Sequence, residues 1–249
     1  MQGANYSDRL LGRFLELSVP TPDIQASLNF YGKLGFSEAQ VGEARTHPYA
    51  VLTDGRVCLG LHQQSAFAPS TTFVMPGLLQ HLDGFAQLVQ RFEFRRLGND
   101  VFNEIGWLDP SGHLIRLVEA RTFSPSKRKA ADMSLCGYFH EIGLPTSSQE
   151  TAKAHWEQFG FVGIDEPDAL LPHISCTSDT IDIGLYEPAH LTGTTLIFEV
   201  DDFDAASARL AAKGVELDGR LPGPLRGMPA AVLTAPEGTS ILMAAAQTA

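Results

Sequence analysis

FLELSVPTPDIQASLNFYGKLGF (residues 14–36) and FHEIGLPTSSQETAKAHWEQFGF (residues 139–161) align without a gap. Phe14/Phe139, Glu16/Glu141, Pro20/Pro145, Thr21/Thr146, Gly35/Gly160 and Phe36/Phe161 are identical, and Tyr31/Trp156 and Leu34/Phe159 are close substitutes. A repeat spacing of about 125 residues is too long for a solenoid unit and matches a globular domain, so the chain reads as two copies of one domain. Its 249 residues are enough for two domains of ordinary size, each burying its own core.

A finer period lies within each copy. Leu15, Leu17 and Val19 alternate with Phe14, Glu16 and Ser18, which predicts a strand with one face on a core, closed by Pro20. Asp23 then caps a helix with Ile24, Leu28 and Tyr31 on its apolar stripe, stopped by Gly35. The second copy offers Ser147 and Glu150 at capping-box spacing and Ala152, Trp156 and Phe159 as the stripe. Strand-like runs follow, YAVLTDGRVCLGLHQ in one copy and HISCTSDTIDIGLY in the other. The order recurs from TTFVMP through a stripe of Leu78, Leu82, Phe85, Val89 and Phe92 to FNEIGWLDPSGHLIRLVEA, and from TTLIFEVDD through FDAASARLAAKG to AAVLTAPEGTSILMAA.

The prediction is an α+β fold of four β-α-β-β-β modules, at about 14–64, 71–121, 137–188 and 192–245. They form two domains, 1–121 and 137–249, joined by a linker at 122–136 that carries Lys127, Arg128 and Lys129. A lone module leaves one sheet face bare, so modules must pair, with helices on the convex side and a cleft on the concave side.

Composition narrows the function. With 44% hydrophobic and 19% charged residues and no apolar run near the roughly 20 residues a spanning helix needs, no membrane segment is expected. The start, MQGANYSDRLLGRF, lacks a secretory pattern, which points to the cytoplasm. Cys58, Cys136 and Cys176 are odd in number and widely spaced, as reduced thiols are. A net charge of -11 argues against nucleic acid, which needs a basic face. Four modules can satisfy one another within one chain, so a monomer suffices and a homodimer stays open. No phosphate-cradling loop, nucleophile elbow or HExxH occurs.

SVPTPDIQASLNFYGKLGF, WLDPSGHLIRL, FEVDDFDAASARLAAKGVEL and LTAPEGTSILM resemble the vicinal oxygen chelate superfamily, which includes glyoxalase I, extradiol dioxygenases, bleomycin-resistance proteins and methylmalonyl-CoA epimerase. The resemblance covers residues 14 to about 245 and implies two glyoxalase-like domains with curved mixed sheets and concave clefts. In its enzymes a divalent metal is held by His or Gln from a module's first strand and Glu from its last. Alignment on SVPTPD puts the first-strand places at Phe14, Thr72, Phe139 and Thr195. Alignment on DPxGxxIEL puts acidic places at Arg116 and Leu242, and the last strands of modules one and three offer Leu59 and Ile183. These side chains are poor ligands and Arg116 repels a cation, so no metal and no other cofactor is expected. A slip of one residue would bring His140 to the third module's place while turning Ile142 and Leu144 into the cleft.

Other groups then define the clefts. Glu16 and Glu141 stand two residues along from Phe14 and Phe139, as polar anchors or general bases with pKa raised by burial, or else as solvated carboxylates or salt-bridge partners. Arg116 either grips an anionic ligand or neutralises one of those glutamates. Glu199 shares a cleft with Glu141 if adjacent modules pair; crossed pairing sets Glu141 against Arg116 and Glu16 against Glu199. Phe14 and Phe139, which face the cleft by register, serve as flat cleft walls or else as core filling, and Trp107 is a third wall or core. His62, His81, His113, His155, His173 and His190 show no mutual ligand spacing and read mostly as surface or loop residues. DGRLPGPLRGMP (218–229) is a connection, or a flap over a cleft. The expected function is metal-free binding of a small organic molecule in a sheet cleft. The alternative is a lyase, isomerase or dioxygenase with an atypical metal site or a Glu base.

Overall fold

A computed structural model describes residues 11–39, 47–64, 68–98, 103–120, 133–217, 221 and 223–246. Most of the expected linker, with Lys127, Arg128 and Lys129, lies outside the described residues. The first module runs β1 (Arg13–Pro20), α1 (Ile24–Lys33), β2 (Ser37–Ala39), β3 (Tyr49–Thr53) and β4 (Cys58–His62). The second runs β5 (Ser70–Met75), α2 (Leu78–Leu88), β6 (Phe92–Arg96), β7 (Glu104–Leu108) and β8 (Leu114–Glu119). The third repeats the order with β9 (Tyr138–Pro145), α3 (Gln149–Glu157), β10 (Val162–Glu166), β11 (His173–Thr177) and β12 (Ile183–Tyr186). The fourth departs from the expected pattern: after β13 (Thr195–Val200) and α4 (Phe203–Ala212) come a 3-10 turn (Gly223–Leu225) and, among the described residues, two strands, β14 (Ala230–Thr234) and β15 (Ser240–Ala245).

Local signals work as chemistry demands. The Asp23 carboxylate accepts from the Gln25 and Ala26 amides and starts α1. Gly35, at φ +90, turns the chain out of the helix at an angle that a side chain would resist. In the second copy the cap is Ser148, one residue beyond the predicted Ser147, because its hydroxyl reaches the Thr151 amide. Among the described residues no helix is long and apolar enough to cross a membrane.

The strands form two open mixed sheets, β2-β3-β4-β1-β5-β8-β7-β6 and β10-β11-β12-β9-β13-β15-β14. Adjacent modules therefore pair, through the antiparallel contacts β1–β5 and β9–β13. The crossed alternative is excluded, and with it the meetings of Glu141 with Arg116 and Glu16 with Glu199. Crossing occurs elsewhere, between the sheets. Glu237, in the β14–β15 turn, accepts from Ser27 at 2.8 Å and Tyr31 at 2.7 Å on α1. The matching β7–β8 turn places His113 Nε2 2.8 Å from the Pro145 carbonyl of the third module. Aromatic contacts such as Phe73–Trp156, Trp107–Phe159 and Phe36–Phe198 merge both copies into one core.

One irregularity decides what faces the clefts. Opposite Thr72 and Phe73 the register of β1 steps from Glu16 to Phe14, leaving Leu15 as an extra residue. Opposite Ile197 and Phe198 the register of β9 steps from Glu141 to Phe139, leaving His140 extra. Each is a β-bulge, which breaks simple alternation. Phe14 and Phe139 are thereby turned into the core, edge-on to Phe73 and Phe198, and are not cleft walls. Trp107 also lies in the core, beside Phe85 and Phe159. Leu59 and Ile183 are core residues as well, so the cleft positions next to them are Gly60 and Gly184.

Candidate functional site

The bulges leave Glu16 and Glu141 on the concave faces, both fully buried. Each is held by a His, a Tyr and a Ser. Glu16 accepts from Ser18 Oγ at 2.6 Å and from the Tyr49 hydroxyl, with His62 Nε2 at 2.9 Å. His62 continues through Nδ1 to His47 Nε2 at 2.9 Å. Glu141 accepts from Tyr186 at 2.6 Å and Ser175 at 3.0 Å, with His173 Nε2 3.0 Å away. Glycine makes room for each carboxylate: a Cβ on Gly60 or Gly184 would stand 2.2 or 2.0 Å from the glutamate.

These contacts reverse the expected electrostatics. Burial pushes the Glu16 carboxyl up, but the hydrogen bond and charge of His62 and the Ser18 and Tyr49 hydroxyls outweigh it and hold the pKa below its ordinary value. For Glu141 burial again pushes up, and His173, Tyr186 and the charge of His140 bring the net shift down. Burial and the neighbouring Glu141 keep the Tyr186 phenol protonated. Both glutamates are thus ionised anchors of internal networks, poorly tuned as bases near neutral pH.

The first concave face is open. Arg116 lies on it as expected, but its partner is Glu104, at 3.1 Å, and neither Glu16 nor Glu141. Arg96 reaches the other Glu104 oxygen at 2.5 Å, and the Arg116 guanidinium sits 4.8 Å from the centre of the Phe94 ring. Thr72 bonds to Ser18 at 2.7 Å and approaches Ser70 at 3.3 Å. At one end of this face a cavity of about 610 Å³ opens, with Arg96, Arg116, Ser70 and Phe94 on one side and Leu144, Pro145 and residues 192–194 of the second copy on the other.

The second concave face is filled. Leu171, Leu191, Ile197, Leu225 and Leu242 form a separate apolar cluster with Tyr186. Leu225 comes from the Gly/Pro-rich segment, whose described part thus lies over the cleft as a flap. Thr195 is buried and donates to the Gly193 carbonyl at 2.9 Å. Glu199 pairs across the ladder with Tyr138 at the strand end and is exposed, away from Glu141 in its network.

These networks are not apparent from sequence spacing, in which His62 and His173 read as surface or loop residues; both are buried strand residues. Alternation on β3, β4, β11 and β12 was the available signal: Tyr49, Gly60 and His62 recur in register as His173, Gly184 and Tyr186.

Paired β-α-β-β-β modules in two open sheets, each with a concave face, are the fold of the vicinal oxygen chelate superfamily. No family model matches the sequence, and no curated protein matches it. Solved structures do. The 2,3-dioxygenase LapB of Pseudomonas sp. KL28 aligns with a TM-score of 0.61 at 15% identity, over 95% of this chain and 92% of that one. Homoprotocatechuate 2,3-dioxygenase of Arthrobacter globiformis gives 0.61 at 15%, over 95% and 80%. A mutant of the Brevibacterium fuscum homoprotocatechuate 2,3-dioxygenase gives 0.62 at 15%, over 96% and 72%. At such identity the likeness is one of fold.

The metal implied by that fold can be tested against the residues. Across β1, β5 and β8 the first cleft presents Glu16, Thr72 and Arg116; across β9, β13 and β15 the second presents Glu141, Ile197 and Leu242. One carboxylate beside a hydroxyl and a guanidinium, or beside two aliphatic chains, does not make a transition-metal site, so the residues at these positions do not fit the group.

Proposed function

We propose that this protein binds a small organic molecule bearing carboxylate, phenolate or carbonyl oxygens in its first cleft, with no metal taking part there. The observation that carries this reading is the contrast between the two concave faces. One is sealed by its own leucines, and the other opens into a cavity of about 610 Å³ that fits a small ligand. Arginine and hydroxyl groups on that wall supply donors, and Phe94, Leu108 and Leu114 supply apolar surface. The overall charge of -11 supports a small-molecule partner over a nucleic acid.

The alternative is a lyase, isomerase or dioxygenase of the kind this fold hosts. A metal-free version with Glu16 as base is weakened by that residue's depressed pKa and complete burial.

The test is a calorimetric and thermal-shift screen of chelator-treated protein against aromatic and aliphatic acids. A hit should raise the melting temperature, and Arg116→Met should weaken it about ten-fold or more, as loss of a charge-assisted contact does. Silence at millimolar ligand, or binding that requires an added metal, would overturn the proposal.

A further inference from the structure

We propose that His140, Glu141 and His173 form a divalent transition-metal site on the second sheet, built from a ligand set other than the one the fold implies. It is separate from the first cleft and does not rest on ligand binding there. The bulge brings His140 to the same side as Glu141, since the doubled residues of a bulge face one partner. One atom from each of the three side chains lies within 4.8 Å of the others. A tetrahedral ion with bonds of about 2.1 Å needs separations of about 3.4 Å, which small side-chain rotations supply.

The state of His173 points to a ligand. Its Nδ1 lies 2.8 Å from the Leu171 carbonyl, so that nitrogen carries the hydrogen. Nε2 is buried 3.0 Å from Glu141 Oε1 but out of line for a hydrogen bond, and has no other partner. The Glu141 carboxylate draws positive charge to this gap, either as a proton on Nε2 or as a metal ion held between the lone pair of the neutral ring and the carboxylate. Anchoring one imidazole nitrogen on a backbone carbonyl while the other faces an acid is how metal-binding histidines are oriented. The Tyr186 and Ser175 hydroxyls would fix the carboxylate.

The first copy is an internal control. Leu15 occupies the place of His140, and Tyr49 that of His173, so the same backbone there offers no such set. Two imidazoles and a carboxylate select Zn2+, Fe2+, Co2+, Ni2+ or Mn2+ over Mg2+ and Ca2+, which prefer oxygen.

Cobalt(II) titration of chelator-treated full-length protein, followed by visible absorption and calorimetry, tests the site. One equivalent should bind, with d–d bands showing nitrogen ligation. His140→Ala, at a half-buried position, should fold normally and lose at least about ten-fold in affinity. His173→Gln should do the same, with circular dichroism confirming its fold, while the exposed His81→Ala should leave binding unchanged. Absence of saturable binding at millimolar cobalt, or binding unaltered in His140→Ala, would overturn the site and indicate that a proton bridges His173 and Glu141. Ligand affinity in the first cleft should be the same with and without cobalt, so either proposal can fail alone.

Discussion

His173 stacks on Tyr186, ring centroids 4.4 Å apart and planes 12° from parallel, while both rings approach Oε1 of Glu141. In the first copy the pair is exchanged: Tyr49 stands on the third strand, where His173 stands, and His62 on the fourth, where Tyr186 stands. The rings are again close, at 4.6 Å. One carboxylate, one phenol and one imidazole are brought together in either order.

The exchange predicts strong coupling. Tyr49→His and His62→Tyr should each destabilise the protein, because each leaves Glu16 with a mismatched partner. The double variant rebuilds the order of the second copy and should be more stable than the sum of the single losses by about 1 kcal/mol or more. Urea denaturation of the four proteins measures this directly.

Acid sensitivity should follow from Glu16. Its folded pKa lies below its ordinary value of 4.5, so its contribution is present above that value and is lost as pH falls through the folded pKa. The groups facing it are His62 and Tyr49, with Ser18 beside them and the Cys58 thiol nearby. Glu16→Gln should lower stability at pH 7 and flatten the acid limb by up to about 1.4 kcal/mol per pH unit. Melting curves between pH 3 and pH 7 in about one-unit steps would show whether the two limbs differ.

Gly60 should tolerate no side chain. Its added Cβ would meet Glu16 Cδ and Oε1 at 2.2 Å, and the carboxylate can retreat only by giving up its hydrogen bonds. Gly60→Ala is expected to cost about 2 kcal/mol or more, whereas Gly84→Ala, with open space around it, should be neutral or stabilising. Chemical denaturation of both variants separates the steric effect from glycine's backbone freedom.

The flap should act as a second small core. Leu225 is fully buried against the second concave face, so Leu225→Ala should cost about 2–5 kcal/mol through lost burial and a residual cavity. A surface loop without packing would change by less than about 0.5 kcal/mol, and the midpoint of urea unfolding distinguishes the two.

Much of the fold was legible because it rests on local rules. Alternation, caps and the recurrence of Pro20/Pro145 and Gly35/Gly160 act over a few residues, and repetition of a whole module outlasts local noise. Glu16 and Glu141 were also visible, as the carboxylate kept in both copies. Their neighbours were not, since Tyr49, His62, His173 and Tyr186 reach them only through the strand order β3-β4-β1 and β11-β12-β9.

The chain by itself determined that two copies of one α+β unit exist, in what order most of their strands and helices run, and which acids recur. Only the tertiary structure decided which side chains look into the clefts. Alternation fixes facing within a strand, but one extra residue reverses everything beyond it, and whether Leu15 and His140 are extra depends on pairing with β5 and β13. The same holds for occupancy of the concave faces: Leu225 fills one of them from a distant loop, an outcome set by packing and invisible to periodicity.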